Sequence, residues 1–519
     1  MLTRAIKNAA DQTPEKVAFK CEDNSLTFEE LARRTEQLAS VLIEQGVKQG
    51  DRVGVFLPPS IETAIAIYGI MTAGAAYVPL DANSPPARIA FLLRHCEIKH
   101  LISEPNQREK IAEIQNEETD LQHIIGINND SAAETISWKE VARSQTRELS
   151  LGVREDDLAY VIYTSGTTGV PKGIMHTHRS GFSYARLSKE LYGVGHRDVF
   201  GNHSPLHFDI STFGYFTMPL AKGTTIIIPE AYKRFPASLS QLIEKESLTI
   251  WYSVPLALTQ MLESGILEKR NLDSLRWILF GGEPFPIAHL RSLLKLMPGA
   301  RFSNVYGPAE VNQCTFYNFR ELPPGETSVP LGKAWDETEI IIVDEYDREV
   351  ETGKIGECLV QTSTMMKGYI GQPELTKMSL YITEDENSLT RTFYRTGDLV
   401  RQNERGELIF VGRRDRQIKI RGYRIELDEI ESVLSSHTNV SEAAAYTFRN
   451  GDNETSIVAE VVVLKGGDLT EEMLHKHYRK YLPGYIKLDK IRFSRRIPRT
   501  AAGKVDHNKL KNEADGKFL

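Results

Sequence analysis

The sequence is poor in cysteine. Cys21, Cys96, Cys314 and Cys358 are scattered over 519 residues with no C-x-x-C pair. That excludes a disulfide framework and leaves no zinc-ligand spacing, and a reducing cytoplasm suits such a chain. Basic charge is not in excess either. With 63 Lys and Arg against 70 Asp and Glu, the net charge is −7, which argues against a nucleic acid or an anionic membrane as the main partner. The N-terminus, MLTRAIKNAADQTPEK, lacks an apolar core of signal-peptide length. One stretch, residues 63–80, runs for 18 residues without a charge. Its Ala, Gly and Thr content and Pro79 predict a buried helix followed by a strand, not a membrane span.

What is present reads as a soluble globular chain, 41% hydrophobic and 26% charged. Its length calls for two or more domains. Thr27 with Glu30 three residues on forms a capping box, and Leu31, Ala32, Leu38, Ala39 and Leu42 give the helix that follows an apolar face. A strand over 53–57 and a helix over 60–73 continue the alternation. Strands alternating with helices predict a mostly parallel sheet covered on both faces. Residues 104–150 are polar and irregular and show no functional signal.

The richest stretch is LAYVIYTSGTTGVPKGI, residues 158–174. Residues 158–163 are apolar, β-branched and aromatic, as in a buried strand. They empty into Thr164, Ser165, Gly166, Thr167, Thr168 and Gly169, then Lys172. Small residues let backbone N–H groups turn toward an anion, hydroxyls add donors and a lysine adds charge. This predicts a phosphate-cradling loop. It is not a Walker A loop, because Gly173 follows Lys172 where a magnesium-holding Ser or Thr would stand.

Here the chain resembles the adenylate-forming superfamily, which includes acyl-CoA synthetases, luciferases and the adenylation domains of nonribosomal peptide synthesis. Further segments carry the resemblance in order: FGGE (280–283), NVYGPAE (304–310), YRTGDL (394–399), GRRDRQIKIRGYRIE (412–426) and PRTAAGKVD (498–506). It implies an α/β fold. A large N-terminal part, with parallel sheets and a β-barrel-like portion, would span residues 1–414, and a small mobile α+β domain residues 415–519.

The resemblance also implies roles. ATP and Mg²⁺ would be the cofactors. The nucleotide would lie over Gly281, Gly282 and Glu283, with Asn304, Tyr306 and Gly307 beside the adenine and phosphate, Asp398 on the ribose hydroxyls and Arg413 on ribose and phosphate. Glu310 would hold the metal, Asp415 would be the hinge, and Lys504 would be the mobile lysine that meets substrate carboxylate and α-phosphate. Thr164, Glu310 and Lys504 are thus the expected catalytic set. Ala309 replaces a usual threonine, so one hydrogen bond to the α-phosphate is either missing or supplied by water. The loop at Gly422 would enter the site only after the small domain turns.

Asp209 separates the branches. In HFDIS (207–211) an acid stands among apolar neighbours, either as a cap or as counter-ion to a cation. Amino-acid-activating members of the superfamily resemble this pattern and hold the substrate ammonium there. Ile210, Phe213, Tyr252, Leu279, Gly281, Val305, Gln313 and Cys314 would form the pocket walls, with Lys504 at the carboxylate end. Bulky Phe213 and Tyr252 make the pocket short, Gly281 leaves extra room, and Gln313 favours a substrate with a group to hydrogen-bond. Proline is the first expectation, with another small amino acid or a β-amino acid open. The acceptor would be the phosphopantetheine thiol of a carrier protein. The chain runs 15 residues beyond Lys504 with no carrier segment, which predicts a free-standing enzyme. A coenzyme A ligase and a non-catalytic nucleotide-binding protein are the alternatives.

Overall fold

The computed structural model describes residues 1–128, 133–146, 152–166, 170–384, 388–449, 455–464, 467–499, 505–507 and 509–511. Two large sheets form the N-terminal body. In the nine-stranded sheet six neighbouring strands run parallel: Arg301–Tyr306, Trp277–Gly281, Ile250–Ser253, Val199–Asn202, Thr224–Ile227 and Val17–Cys21. The eight-stranded sheet places Lys172–Thr177 and Leu158–Thr164 beside Ala76–Pro79, Arg52–Val55 and His100–Ile102.

Helices Phe28–Glu44 and Ile61–Thr72 lie between these sheets. One buried cluster joins Phe19 of the first sheet and Tyr77 and Tyr160 of the second with Leu31, Leu38, Ile65 and Ile67 of the helices. Local chemistry explains both helices. Thr27 Oγ1 accepts from the Glu30 N–H, and the Glu30 carboxylate accepts from the Thr27 N–H, so two orphan donors are satisfied at once. Beyond Glu62 in its first turn, Ile61–Thr72 carries no charge and is buried from Thr63 to Met71. No described helix is long and apolar enough to cross a membrane.

The irregular stretch holds more structure than its pattern shows. Helix Arg108–Gln115 and strands His123–Ile125 and Glu134–Ile136 extend the eight-stranded sheet. Three-residue strands are too short for alternation to register, and parallel pairing to an existing edge decides them. The barrel-like portion is a five-stranded antiparallel sheet built around Gly356–Thr362 and Thr390–Gln402.

The small C-terminal domain has a three-stranded sheet, Val440–Arg449, Thr455–Val463 and Lys490–Ser494, covered by helices Leu427–Ser435 and Glu471–Tyr481. A separate hairpin, Gln417–Ile420 with Tyr423–Glu426, leads out of it toward the large domain. A buried ion pair fastens the two: Arg88 Nη1 lies 2.7 Å from Glu429 Oε1.

Candidate active site

Thr164 and Lys172 face each other across the mouth of an antiparallel hairpin formed by Leu158–Thr164 and Lys172–Thr177. Between them, Gly166 folds so closely on the Val170 carbonyl that a Cβ would overlap it. Thr167, Thr168 and Gly169 lie outside the described residues. Lys172 is buried, and burial, with Arg424 nearby, pulls its ammonium pKa down. Thr164 Oγ1 is buried without a partner among the described residues. A buried hydroxyl left unpaired is costly unless a ligand completes it.

The strand Arg301–Tyr306 delivers the next groups. Gly307 packs where a Cβ would overlap the Asn312 carbonyl. Glu310 is fully buried, and its backbone carbonyl accepts from the Met366 N–H at 2.7 Å. Its Oε1 accepts from the Tyr369 hydroxyl and its Oε2 from Arg424 Nη1, each at 2.8 Å. Burial opposes the charge on Glu310, yet Arg424 outweighs it and holds the carboxyl down to about 2. The Ala309 carbonyl accepts from His176 Nε2 at 2.9 Å, with His176 kept neutral by burial and its pKa lowered to about 4.

Farther along the cleft, Asp398 Oδ2 accepts from the Tyr306 hydroxyl at 2.6 Å and its Oδ1 from Arg413 Nη1 at 2.7 Å. The same guanidinium donates to both oxygens of Asp415 at 2.6 Å. Arg413 therefore ties Asp398 directly to Asp415. Asn304 spends its side chain on the Pro330 carbonyl at 2.7 Å. Glu283 accepts from the Leu256 N–H at 3.2 Å and the Gly422 N–H at 3.0 Å. Gly282 needs its freedom at φ +93°. A cavity of about 820 Å³ between the domains is lined by Gly282, Glu283, Asn304, Tyr306, Asp398, Arg413 and Lys419, among others. Its size suits a nucleotide.

Asp209 opens a short 3₁₀ turn, Asp209–Ser211, and its Oδ1 accepts from the Ile210 N–H at 2.9 Å. Burial pushes its carboxyl up to about 6, against the pull of that hydrogen bond. A smaller cavity brings Asp209 and Ile210 together with Thr164, Ser165, Gly307, Ala309, Lys419 and Arg424. Behind it, Phe213, Tyr252, Leu279 and Val305 share one buried cluster, with Ile210 against it and the Phe213 and Tyr252 rings edge to face at 6.1 Å. Gln313 Nε2 donates to the Tyr192 hydroxyl at 3.3 Å, while its Oε1 has no partner among the described residues.

Two wall assignments need correction. Cys314 sits in another cluster with Tyr306 and Cys358, its Sγ 3.5 Å from the Tyr306 carbonyl oxygen, and not with Phe213 and Tyr252. Gly281 does not leave extra room where a side chain would stand, because a Cβ there would overlap the Val305 carbonyl of the paired strand. Lys504 lies outside the described residues. Arg499 and Val505, on either side of it, pair with each other in the small domain.

The hairpin of the small domain is already in the site, where a turned-away loop would leave it open. Gly422 touches Glu283, Tyr423 meets Phe208 edge to face, and Ser165 Oγ donates to the Arg424 carbonyl at 2.8 Å. Lys419, Arg424 and Glu426 were missed as site residues. A signal existed for Lys419: Ile418 and Ile420 flank it, so alternation puts it on the opposite face from them.

The comparisons with known proteins agree over the whole chain. Residues 6–370 match the AMP-binding enzyme family and residues 429–504 the AMP-binding enzyme C-terminal domain. A protein of Pseudomonas fluorescens named L-proline--[L-prolyl-carrier protein] ligase is 31% identical over 99% of this chain and 100% of its own. A Streptomyces coelicolor protein of the same name is 31% identical over 98% and 95%. The solved adenylation domain AlmE of Vibrio cholerae, in complex with glycyl-adenosine-5'-phosphate, superposes with a TM-score of 0.84 at 24% identity. That match covers 99% of this chain and 98% of AlmE, and it is a likeness of fold. The glycine-rich turn after Thr164, the half-buried acid Asp209 and the two-domain cleft thus stand in a chain that belongs to the AMP-binding, adenylate-forming enzyme family.

Proposed function

We propose that this enzyme uses ATP to convert a small amino acid, proline first among the candidates, into aminoacyl-AMP and pyrophosphate. It then passes the aminoacyl group to the phosphopantetheine thiol of a separate carrier protein. The observation that carries this reading is Asp209, a half-buried carboxylate in the same cavity as the loop residues Thr164 and Ser165. An ammonium group compensates such an acid, and the adjacent loop receives phosphates. Both curated relatives named above bear the names of proline-activating ligases.

The chemistry asks for alignment more than covalent help. A carboxylate must approach the α-phosphate while the site neutralises the charge that builds between two anions. Asp209 orients the amino group, Thr164, Ser165 and Lys172 hold the departing phosphates, and Asp398 and Arg413 hold the ribose. Glu310 is an oxygen ligand of the kind Mg²⁺ takes, and the described residues contain no cluster of three or more metal-ligating side chains. A single carboxylate supplemented by phosphate oxygens fits that cation. When bound there, magnesium offsets charge on the phosphates. Lys504 meets the carboxylate and α-phosphate. The small domain, residues 415–519, turns about Asp415 against residues 1–414.

Lys504→Ala is expected to lower amino-acid-dependent pyrophosphate exchange by roughly 10²–10³. A change below threefold in that assay would remove Lys504 from the first step. A second expectation concerns pH. Asp209 is ionised above about 6, so protonation below that point removes the counter-ion of the ammonium. In exchange assays kcat/KM for the amino acid falls about tenfold per unit below pH 6, while KM for ATP does not follow. An unchanged profile from pH 7 to 5 would contradict the role of Asp209.

Gln313 favours a second reading of the substrate. Its unpartnered Oε1 suits a substrate whose ring or side chain carries a hydrogen-bond donor besides the ammonium, which proline lacks. Pyrophosphate exchange over α-, imino-, hydroxylated and β-amino acids, with fatty and aryl acids included, decides between them. A response confined to acids without an amino group would move the enzyme to the coenzyme A branch.

A further inference from the structure

The strand pair that carries Thr164 and Lys172 also grips the turn that carries Glu310. Lys172, Ile174 and His176 are two apart on the outgoing strand and so share a face. Ile174 pairs with Tyr369, whose hydroxyl donates to Glu310 Oε1 at 2.8 Å. His176 Nε2 lies 2.9 Å from the Ala309 carbonyl oxygen. A carbonyl can only accept, so Nε2 carries the imidazole proton, and Nδ1 is left to accept from Ser180 Oγ at 3.2 Å. The buried ring stacks on its cross-strand neighbour Tyr160 at 4.8 Å, and Tyr160 stacks on Tyr77 at 5.5 Å. The Tyr160 hydroxyl accepts from Asn312 Nδ2 at 3.4 Å. Residues 309–312 are thus held at both ends by one strand pair.

A peptide unit is planar, so fixing the Ala309 carbonyl fixes the plane from which Glu310 departs. Tyr369 then sets where the carboxylate ends. Ala309 lines the same cavity as Thr164, Ser165 and Gly307, and its methyl group brings no polar atom to anchor that edge. The anchor is His176, 133 residues earlier in the chain. Without the imidazole the carbonyl loses its donor and the turn can shift. A displacement of about 1 Å in a positioning group can cost about 10² in rate.

We propose that His176 is a positioning residue for the nucleotide. It keeps the Ala309–Glu310 peptide in register with Thr164 and Lys172, so that ATP meets one prearranged set of partners. His176 acts through the peptide and touches no substrate itself. Asp209 does not share this anchor, because its own turn holds it through the Ile210 N–H. This inference rests on the reading of the cleft as a nucleotide site.

His176→Phe keeps a ring against Tyr160 and removes the donor. Calorimetry of the full-length enzyme with magnesium and ATP, without amino acid, should show affinity weakened about ten- to hundredfold, the range for a stranded buried acceptor. In pyrophosphate exchange KM for ATP should rise by the same factor, while KM for the amino acid stays within about threefold. His176→Gln, whose amide nitrogen reaches about as far as Nε2, should bring ATP affinity back to within about threefold of wild type. An equal rise in both KM values would show a merely structural role and overturn the proposal, as would unchanged ATP affinity in His176→Phe. The glutamine variant keeps the test open where the phenylalanine variant fails to fold: a loss of tenfold or more there would also overturn it. No calorimetric binding of ATP to the wild type would overturn the nucleotide-site reading, and this inference with it.

Discussion

Gly422→Leu is expected to slow loading of a carrier-protein thiol by roughly 10²–10³ while amino-acid-dependent pyrophosphate exchange stays within about threefold. Gly422 sits at the hairpin tip with φ +78°, and a Cβ there would overlap Val254 Cγ1. Its N–H donates to Glu283 Oε2 at 3.0 Å. A leucine in left-handed backbone costs about 1–2 kcal/mol, and forcing its bulk against Val254 adds about 1–3 kcal/mol. Together these are enough to undock the tip, at tenfold per 1.4 kcal/mol. Because the hairpin belongs to the small domain, the loss should fall on the step that needs it docked. Single-turnover loading of pre-formed adenylate, run beside exchange, separates the two. Equal loss in both assays would show that the hairpin serves the first step as well, and full loading activity would show that docking at Gly422 is dispensable.

Asp209→Ala should lower kcat/KM for the amino acid by about 10²–10³ in exchange, with KM for ATP changed less than about threefold. Removing one partner of a buried ion pair costs about 3–5 kcal/mol, because the other charge is left uncompensated. Here the stranded charge is the substrate ammonium, beside the aromatic walls Phe213 and Tyr252. Asp209→Asn should be nearly as poor, since the amide keeps the shape and loses the charge. Acids without an amino group should not suffer from either substitution, and could gain. Undiminished use of the amino acid by Asp209→Ala would return Asp209 to a structural role, capping the turn through its bond to the Ile210 N–H.

Ala309 shows how a local departure is read differently once its neighbours are known. The sequence there lacks a hydroxyl for the α-phosphate. In the folded chain the backbone of that residue is fixed by His176, 133 residues away, so the turn that presents Glu310 is held without the threonine.

Local chemistry determined much of this protein. The capping box at Thr27, the strand and glycine-rich turn at residues 158–166, the acid among apolar neighbours at Asp209 and the order of the motifs are properties of short segments, and short segments carry their own backbone preferences. Family resemblance extended those segments to a two-domain enzyme. Tertiary structure alone decided which charges meet. Arg424 finds Glu310 across 114 residues of chain and Glu426 finds Lys172 from another domain, pairings that leave no periodic trace. It also moved Cys314 out of the pocket wall and filled the space beside Gly281 with the Val305 carbonyl. The physical reason is the same in each case: a buried polar or close-packed group is defined by its partner, and the partner is set by how distant strands come to lie side by side.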